Sequence, residues 1–362
     1  MAPAFSSTQQ AGGFALLVLA LLLLPVIAGQ SGLPPRESVY TGTSGRIGDY
    51  AYLHQQIFEE KGDIDLLFIG SSKEYLGIDT PYVQKKLSET LGRPAVVRTL
   101  GWYWTGFDAI YFITQDLLRH RKVHMLVFSD ETGENGPHEH AERWFRFGEN
   151  KEALAGLPLP MQAAYYLEAV LGMPRNLLDL LRANLGVSPF SEEHFWKSVS
   201  SDNPAQRLGS LNVRSIFGSL DPYSDYRPQT PATPADVRIY SPENRGAFQF
   251  ARKPMPAVQL HFARKFAALA RENGVKLVFL TFPIRGESMS DKISETQFWP
   301  GLLPAEVSVV GIPPKRLFAG MSEQEISQLY FNREHFNQNG QLYFTPLVTP
   351  TLIDLYYDTV NH

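Results

Sequence analysis

Residues 65–72 read Asp-Leu-Leu-Phe-Ile-Gly-Ser-Ser. The apolar run is too short for a helix, and it ends in a Gly-Ser-Ser turn, so it reads as a buried strand feeding a tight loop. Outward from it a regular alternation appears. Pro81 suits the first turn of a helix capped by Thr80, with Val83, Leu87 and Leu91 on one face and Gly92 as its stop. Ala95 to Leu100 is a second strand closed by Gly101; Ile110, Ile113 and Leu117 form a helical stripe; Met125 to Phe128 is a third strand. The pattern resumes at Val258, Phe262, Phe266 and Leu269, a helix stopped by Gly274, followed by strands at Val275–Thr281 and Val307–Ile312. Strands alternating with amphipathic helices imply an α/β domain, a parallel sheet with helices on both faces. Ligands of such sheets bind beyond the carboxyl ends of the strands, where Ser71, Ser72, Gly101, Asp130 and Pro283 fall.

From Asp130 to Lys253 the alternation fails. Tyr165–Leu171 and a run started by Pro174, with Leu177, Leu178, Leu181 and Leu185, read as helices. Phe217–Ala235, with Pro222, Pro228, Pro231 and Pro234, reads as extended loop. The expected organisation is one domain over 49–362, interrupted by a largely helical insertion at 131–253 that forms a lid or a wall of the cleft. At the far end, Pro346 and Pro350 predict a broken or kinked final helix, with Thr349 capping its second part and Leu352, Ile353 and Tyr356 packing inward.

The amino-terminal stretch Gly13–Ala28 is uncharged and apolar, the pattern of a signal peptide (1–28) or of a retained membrane anchor; a polar linker, 29–48, follows. Val26 and Ala28 fit a cleavage site, although the preceding segment has no Lys or Arg. The expected location is extracytoplasmic, periplasmic or secreted. The chain has 362 residues, 44% of them hydrophobic, enough for a full core. Its net charge of -4 is too weak and too evenly spread to indicate nucleic acid as a partner. With no cysteines, disulfides, thiolate metal sites and cysteine nucleophiles are excluded. No phosphate loop or dinucleotide fingerprint occurs, so no cofactor is expected. His138-Glu139-His140 lacks a recognised ligand spacing, so no metal is expected either.

A serine of the Ser71-Ser72 turn, just past a strand end, can expose its hydroxyl and aim its backbone N–H at a developing oxyanion, although a plain Gly-Ser turn is the commoner reading of such a sequence. The N–H of Gly101 could be a second donor. His335, in the polar loop Tyr330–Gly340 before the last helix, could take a proton from Ser72 and return it to a leaving group. Trp102 and Trp104 could stack on sugar rings, as could the Trp144–Phe147 run, and Arg285 could hold an anionic substrate.

The strand-Gly70-Ser71-Ser72 turn, Gly101 after the second strand, and His335-Phe336-Asn337-Gln338-Asn339-Gly340 together resemble the SGNH (GDSL-like) hydrolase and acyltransferase superfamily. The nearest likeness is to its extracytoplasmic branch of polysaccharide O-acetylation and teichoic acid D-alanylation. The resemblance covers roughly 65–130 and 257–358. It implies a flavodoxin-like sheet, Ser72 as nucleophile, and an oxyanion hole from Ser72 and Gly101. It further implies His335 as base and an acylated polysaccharide or cell-envelope glycan as substrate. A membrane-bound O-acyltransferase is an implied partner, and an uncleaved N-terminal segment would tie the chain to the membrane. The chain departs from the pattern at two places. The Asp three residues before the histidine is Asn332, and the third-strand asparagine that donates to the oxyanion has only Asn135 as a counterpart. Glu334, Asp130, Glu131 or Glu134 could supply the missing carboxylate, or a backbone acceptor could take its place. The reading from another class is a non-catalytic relative that binds glycan or scaffolds an export machine.

Overall fold

The computed structural model describes residues 4–32, 35–40, 52–101, 106–129, 133, 135–138, 141, 145, 150–185, 232–250, 255–296 and 307–360. Its centre is a six-stranded, mostly parallel sheet. The strands are β1 (Ile64–Gly70), β2 (Val97–Gly101), β3 (Val123–Phe128), β4 (Arg238–Ile239), β6 (Lys276–Leu280) and β8 (Ser308–Gly311), ordered β2-β1-β3-β6-β8-β4. Only β4 runs antiparallel to its neighbour. A separate two-stranded ribbon pairs β5 (Phe248–Phe250) with β7 (Ile293–Thr296).

The helices are α1 (Thr8–Gln30), α2 (Ser72–Gly77), α3 (Thr80–Leu91), α4 (Phe107–His120), α5 (Leu159–Asn184), α6 (Ala257–Glu272) and α7 (Gln338–Val360), besides shorter turns. Both faces of the sheet are covered. Leu67, Leu126 and Phe128 pack under α4 and α6, while Leu66, Phe68 and Val127 pack under α3 and α7. Strands buried on both sides are why β1 and β3 read as unbroken apolar runs.

Several expectations need correction. Asp79, not Thr80, caps α3, its side chain accepting from the Tyr82 N–H at 3.3 Å. Thr80 is buried and shares a 2.6 Å hydrogen bond with Thr99 instead. Pro174 starts no helix: α5 runs through it as one element. Likewise α7 is not broken but continues across Pro346 and Pro350 as one element, and the Thr349 hydroxyl donates back to the Thr345 carbonyl at 2.7 Å rather than capping a new segment. Tertiary packing outweighs the lost backbone bonds in α7, whose Leu352, Ile353 and Tyr356 are buried as expected.

The insertion is also less separate than expected, because β4 adds an edge to the main sheet and β5 pairs with β7 from beyond it. Residues 186–231, with most of the Pro-rich loop, lie outside the described residues. Part of the expected linker is folded. Arg36–Val39 forms a helical turn, Val39 and Tyr40 are buried, and Arg36 pairs with Asp116 at 2.9 Å. The Tyr40 hydroxyl donates to the same carboxylate at 2.7 Å.

The amino-terminal helix α1 contains an 18-residue stretch with a mean hydropathy of 2.6, and it is long and apolar enough to cross a membrane. At 1.5 Å per residue its 23 residues span about 35 Å, against roughly 30 Å for a bilayer's hydrocarbon core.

Candidate active site

The carboxyl end of β1 lies between β2 and β3, where the strand order changes direction. In this position an open α/β sheet leaves a crevice. The chain turns there through Gly70 and Ser71 into α2, whose first residue is Ser72. Ser71 caps the helix, its hydroxyl accepting from the Lys73 N–H at 3.3 Å. That leaves the Ser72 hydroxyl to point elsewhere, and it meets His335: Oγ and Nε2 are 2.6 Å apart. Ser72 is only 7% exposed.

His335 is delivered by a loop that closes on itself. Tyr330 and Phe336 form an antiparallel bridge, and the Phe331 N–H donates to the His335 carbonyl at 2.9 Å. Asn337 then caps α7, accepting from the N–H groups of Asn339 (2.9 Å) and Gly340 (3.2 Å). Gly340 is needed for a close approach: a Cβ there would stand 2.2 Å from the Leu329 carbonyl oxygen and 2.4 Å from the Phe336 ring. The loop is pinned to the end of β6, where the Tyr330 hydroxyl donates to the Pro283 carbonyl at 2.7 Å. Arg285 makes the same connection through its backbone, its N–H donating to the Arg333 carbonyl at 2.9 Å.

Asn332 sets the state of the imidazole. Its Oδ1 accepts from the N–H groups of Glu334 (2.8 Å) and His335 (2.9 Å) and lies 3.0 Å from His335 Nδ1. Two backbone donors identify that atom as the amide oxygen. An oxygen can only accept, so Nδ1 carries the proton, and Nε2 is left with a lone pair for the Ser72 hydroxyl. The neutral imidazole is also favoured: burial, with the Lys73 cation adding to it, lowers the His335 pKa, while Glu334 opposes the shift. Glu334, one of the carboxylates offered for Asn332's place, thus acts on the ring only as a nearby charge.

Of the other residues read from the sequence, Gly101 is the last residue of β2 and pairs in register with Gly70, beside the turn. The Asn135 side chain is committed elsewhere, its oxygen accepting from the Val258 N–H at 3.3 Å at the start of α6. Trp102, Trp104, Asp130, Glu131, Glu134 and Trp144 lie outside the described residues. Phe145 is buried against Tyr165 and belongs to the core. His138 is buried too, which pushes its pKa down to about 4, and among the described residues no cluster could hold a metal ion.

Glu74 was not singled out from the sequence. It is fully buried under the turn, with Oε2 3.5 Å from the Ser71 hydroxyl, at the limit of a hydrogen bond. A Cβ on Gly70 would come within 2.5 Å of its carboxyl, so the glycine leaves it room. Burial pushes the Glu74 pKa up to about 7, against weaker opposing contributions from the Ser129 hydroxyl and Lys73. The one signal in the sequence was an acidic residue in the first turn of a helix after a strand, a pattern that exposed N-terminal carboxylates share.

No protein-family model matches the chain, and neither a curated protein nor a solved structure does.

Proposed function

We propose that this chain is an SGNH-like serine esterase or O-acyltransferase, working outside the cytosol on an acylated polysaccharide or cell-envelope glycan. The observation that carries the reading is the relay Ser72 Oγ–His335 Nε2 at 2.6 Å and His335 Nδ1–Asn332 Oδ1 at 3.0 Å. Two features support the family reading. The parallel strands, counted in chain order, run 2-1-3-4-5 as in flavodoxin-like sheets, and Ser72 follows the first of them. The apolar α1 supports the location.

In this mechanism Ser72 Oγ attacks the acyl carbonyl while its proton passes to His335 Nε2. The N–H groups of Ser72 and Gly101 receive the oxyanion. Collapse breaks the ester bond, and the leaving alcohol takes the proton back from Nε2, leaving an acyl-Ser72 ester. Water or a sugar hydroxyl then attacks that ester, with His335 again accepting and returning the proton. A membrane-bound O-acyltransferase is the partner that could bring an acyl donor across the membrane. Trp102, Trp104 and Arg285 are the residues assigned to the substrate.

One observation favours a second reading, a glycan-binding or scaffold subunit: the partner of His335 is a neutral, exposed amide. The test is acylation by p-nitrophenyl acetate or a serine-directed fluorophosphonate, with the adduct located by mass spectrometry. An adduct on Ser72 that is absent from Ser72→Ala and His335→Ala is the expected result. Folded wild-type protein that stays unlabelled would move the assignment to the binding role.

A further inference from the structure

Helix α5 carries an apolar stripe that, among the described residues, nothing covers. Leu167, Leu171, Leu178, Leu181 and, one residue past the helix end, Leu185 are 54%, 62%, 45%, 54% and 67% exposed. Their spacings of four, seven, three and four residues place them on one side of the helix. The other side of its first half faces the core, where Tyr165, Ala169 and Met173 are buried.

What lies beside this stripe is α1. The two helices pack together, and the Tyr166 hydroxyl donates to the Leu22 carbonyl. Leu22 is eight residues inside the carboxyl end of α1, about 12 Å along its axis. If α1 crosses a bilayer, that carbonyl is at the depth of the acyl chains, and so is the part of α5 that reaches it. The chain leaves α1 with little slack. Gln30 ends the helix and Arg36 is already held by Asp116, so the connection spans at most about 20 Å.

We propose that α5 is a second membrane-contacting element, its leucine stripe seated among the lipid chains and headgroups of the leaflet from which the carboxyl end of α1 emerges. This rests on reading α1 as a retained anchor. The occupant of the stripe is lipid, because α5 continues the surface that α1 presents to the bilayer. The pair would hold the domain against the membrane at a fixed height, where a single span followed by a loose linker would let it swing.

The chain contains no cysteine, so single cysteines can be labelled without background. Leu171→Cys, Leu178→Cys and Leu181→Cys, each carrying an environment-sensitive fluorophore, would be read in the full chain in phosphatidylcholine–phosphatidylglycerol vesicles. Phe14→Cys reports on α1, and Lys85→Cys, exposed on α3 across the sheet, reports on water. The expected result at the α5 positions is blue-shifted emission, quenching by doxyl-labelled lipid and protection from aqueous iodide, as at Phe14, with the opposite at Lys85. Quenching by iodide at α5 while Phe14 is quenched by lipid would overturn the proposal. Protection from both quenchers would overturn it in favour of a protein cover. A Phe14 label untouched by doxyl lipid would remove the anchor and the proposal with it, leaving the Ser72 assignment to its own test.

Discussion

Ser72 stands on a turn that is buried and packed over a carboxyl group, whereas the partner of His335, Asn332, is exposed and uncharged. In a serine triad the acid is behind the histidine, where its charge stabilises the imidazolium. Here, among the described residues, a fully buried acid, Glu74, lies under the Gly70–Ser72 turn instead. Burial keeps it protonated up to about pH 7, so it adds no full negative charge below that point. The base side therefore orients its imidazole through an amide oxygen held by two backbone N–H groups. The difference separates two jobs that a triad aspartate combines. Asn332 fixes the tautomer but supplies little electrostatic stabilisation.

The largest expected effect follows from the two halves acting as one unit. Ser72→Ala and His335→Ala should each lower ester hydrolysis on the order of 10^3-fold or more, and the double variant should lose no more than either single one. Additive losses would mean that the 2.6 Å contact is not used in the reaction. The buried side is probed by Glu74→Gln, which keeps the shape and removes the ionisation. The folded-state pKa of about 7 stands above the ordinary 4.5, so the carboxyl's stabilising protonated form is complete below pH 4.5 and is lost as pH rises to 7. The glutamine variant should match the wild type at pH 4 and exceed it by about 3 kcal/mol at pH 8 in denaturant midpoints. Equal pH slopes would show that the carboxyl meets water. On the histidine side, Gly340→Ala should cost about 2 kcal/mol in a thermal melt, because the added methyl collides with the Leu329 carbonyl.

Much of this arrangement was legible in the sequence, and what was missed has a common cause. The strands could be read because a parallel sheet buries both faces, so Leu66–Ile69 and Met125–Phe128 had to be apolar throughout. Ser72 and His335 could be read because strand ends and helix starts are marked by Gly, Ser and Asn. The prolines misled in both α5 and α7, since a local rule against proline in helices yields to packing that only the folded chain supplies. Those two helices also show what composition conceals. Both are rich in leucine, yet Leu347 and Leu352 of α7 are buried by the sheet, while Leu171 and Leu181 of α5 are exposed. Glu74 was missed for a related reason: whether a carboxyl beside a turn faces water or the core depends on what the fold packs around it, here the nearby Gly70 and the sequence-remote Ser129.

The contrast between the two sides is sharpest in Asn332→Asp. The carboxylate would occupy the place of an oxygen that already accepts from the Glu334 and His335 N–H groups and from the His335 ring, so the geometry should survive. Only the charge changes. A charge-assisted hydrogen bond to the imidazolium is roughly twice as strong as a neutral one, worth about 1.4 kcal/mol more here, or about tenfold in the rate of Ser72 acylation. The pH profile gives an independent reading. In the wild type the base form of His335 is favoured by burial and by Lys73, so its acidic limb should fall below the usual histidine pKa. A neighbouring carboxylate favours the protonated ring and should move that limb to higher pH. A faster plateau with a raised limb would establish that an imidazolium forms in the rate-limiting step and that Asn332 holds the natural enzyme below its ceiling. An unchanged rate with the limb still raised would mean that His335 titrates without serving Ser72, which is the behaviour of the binding role.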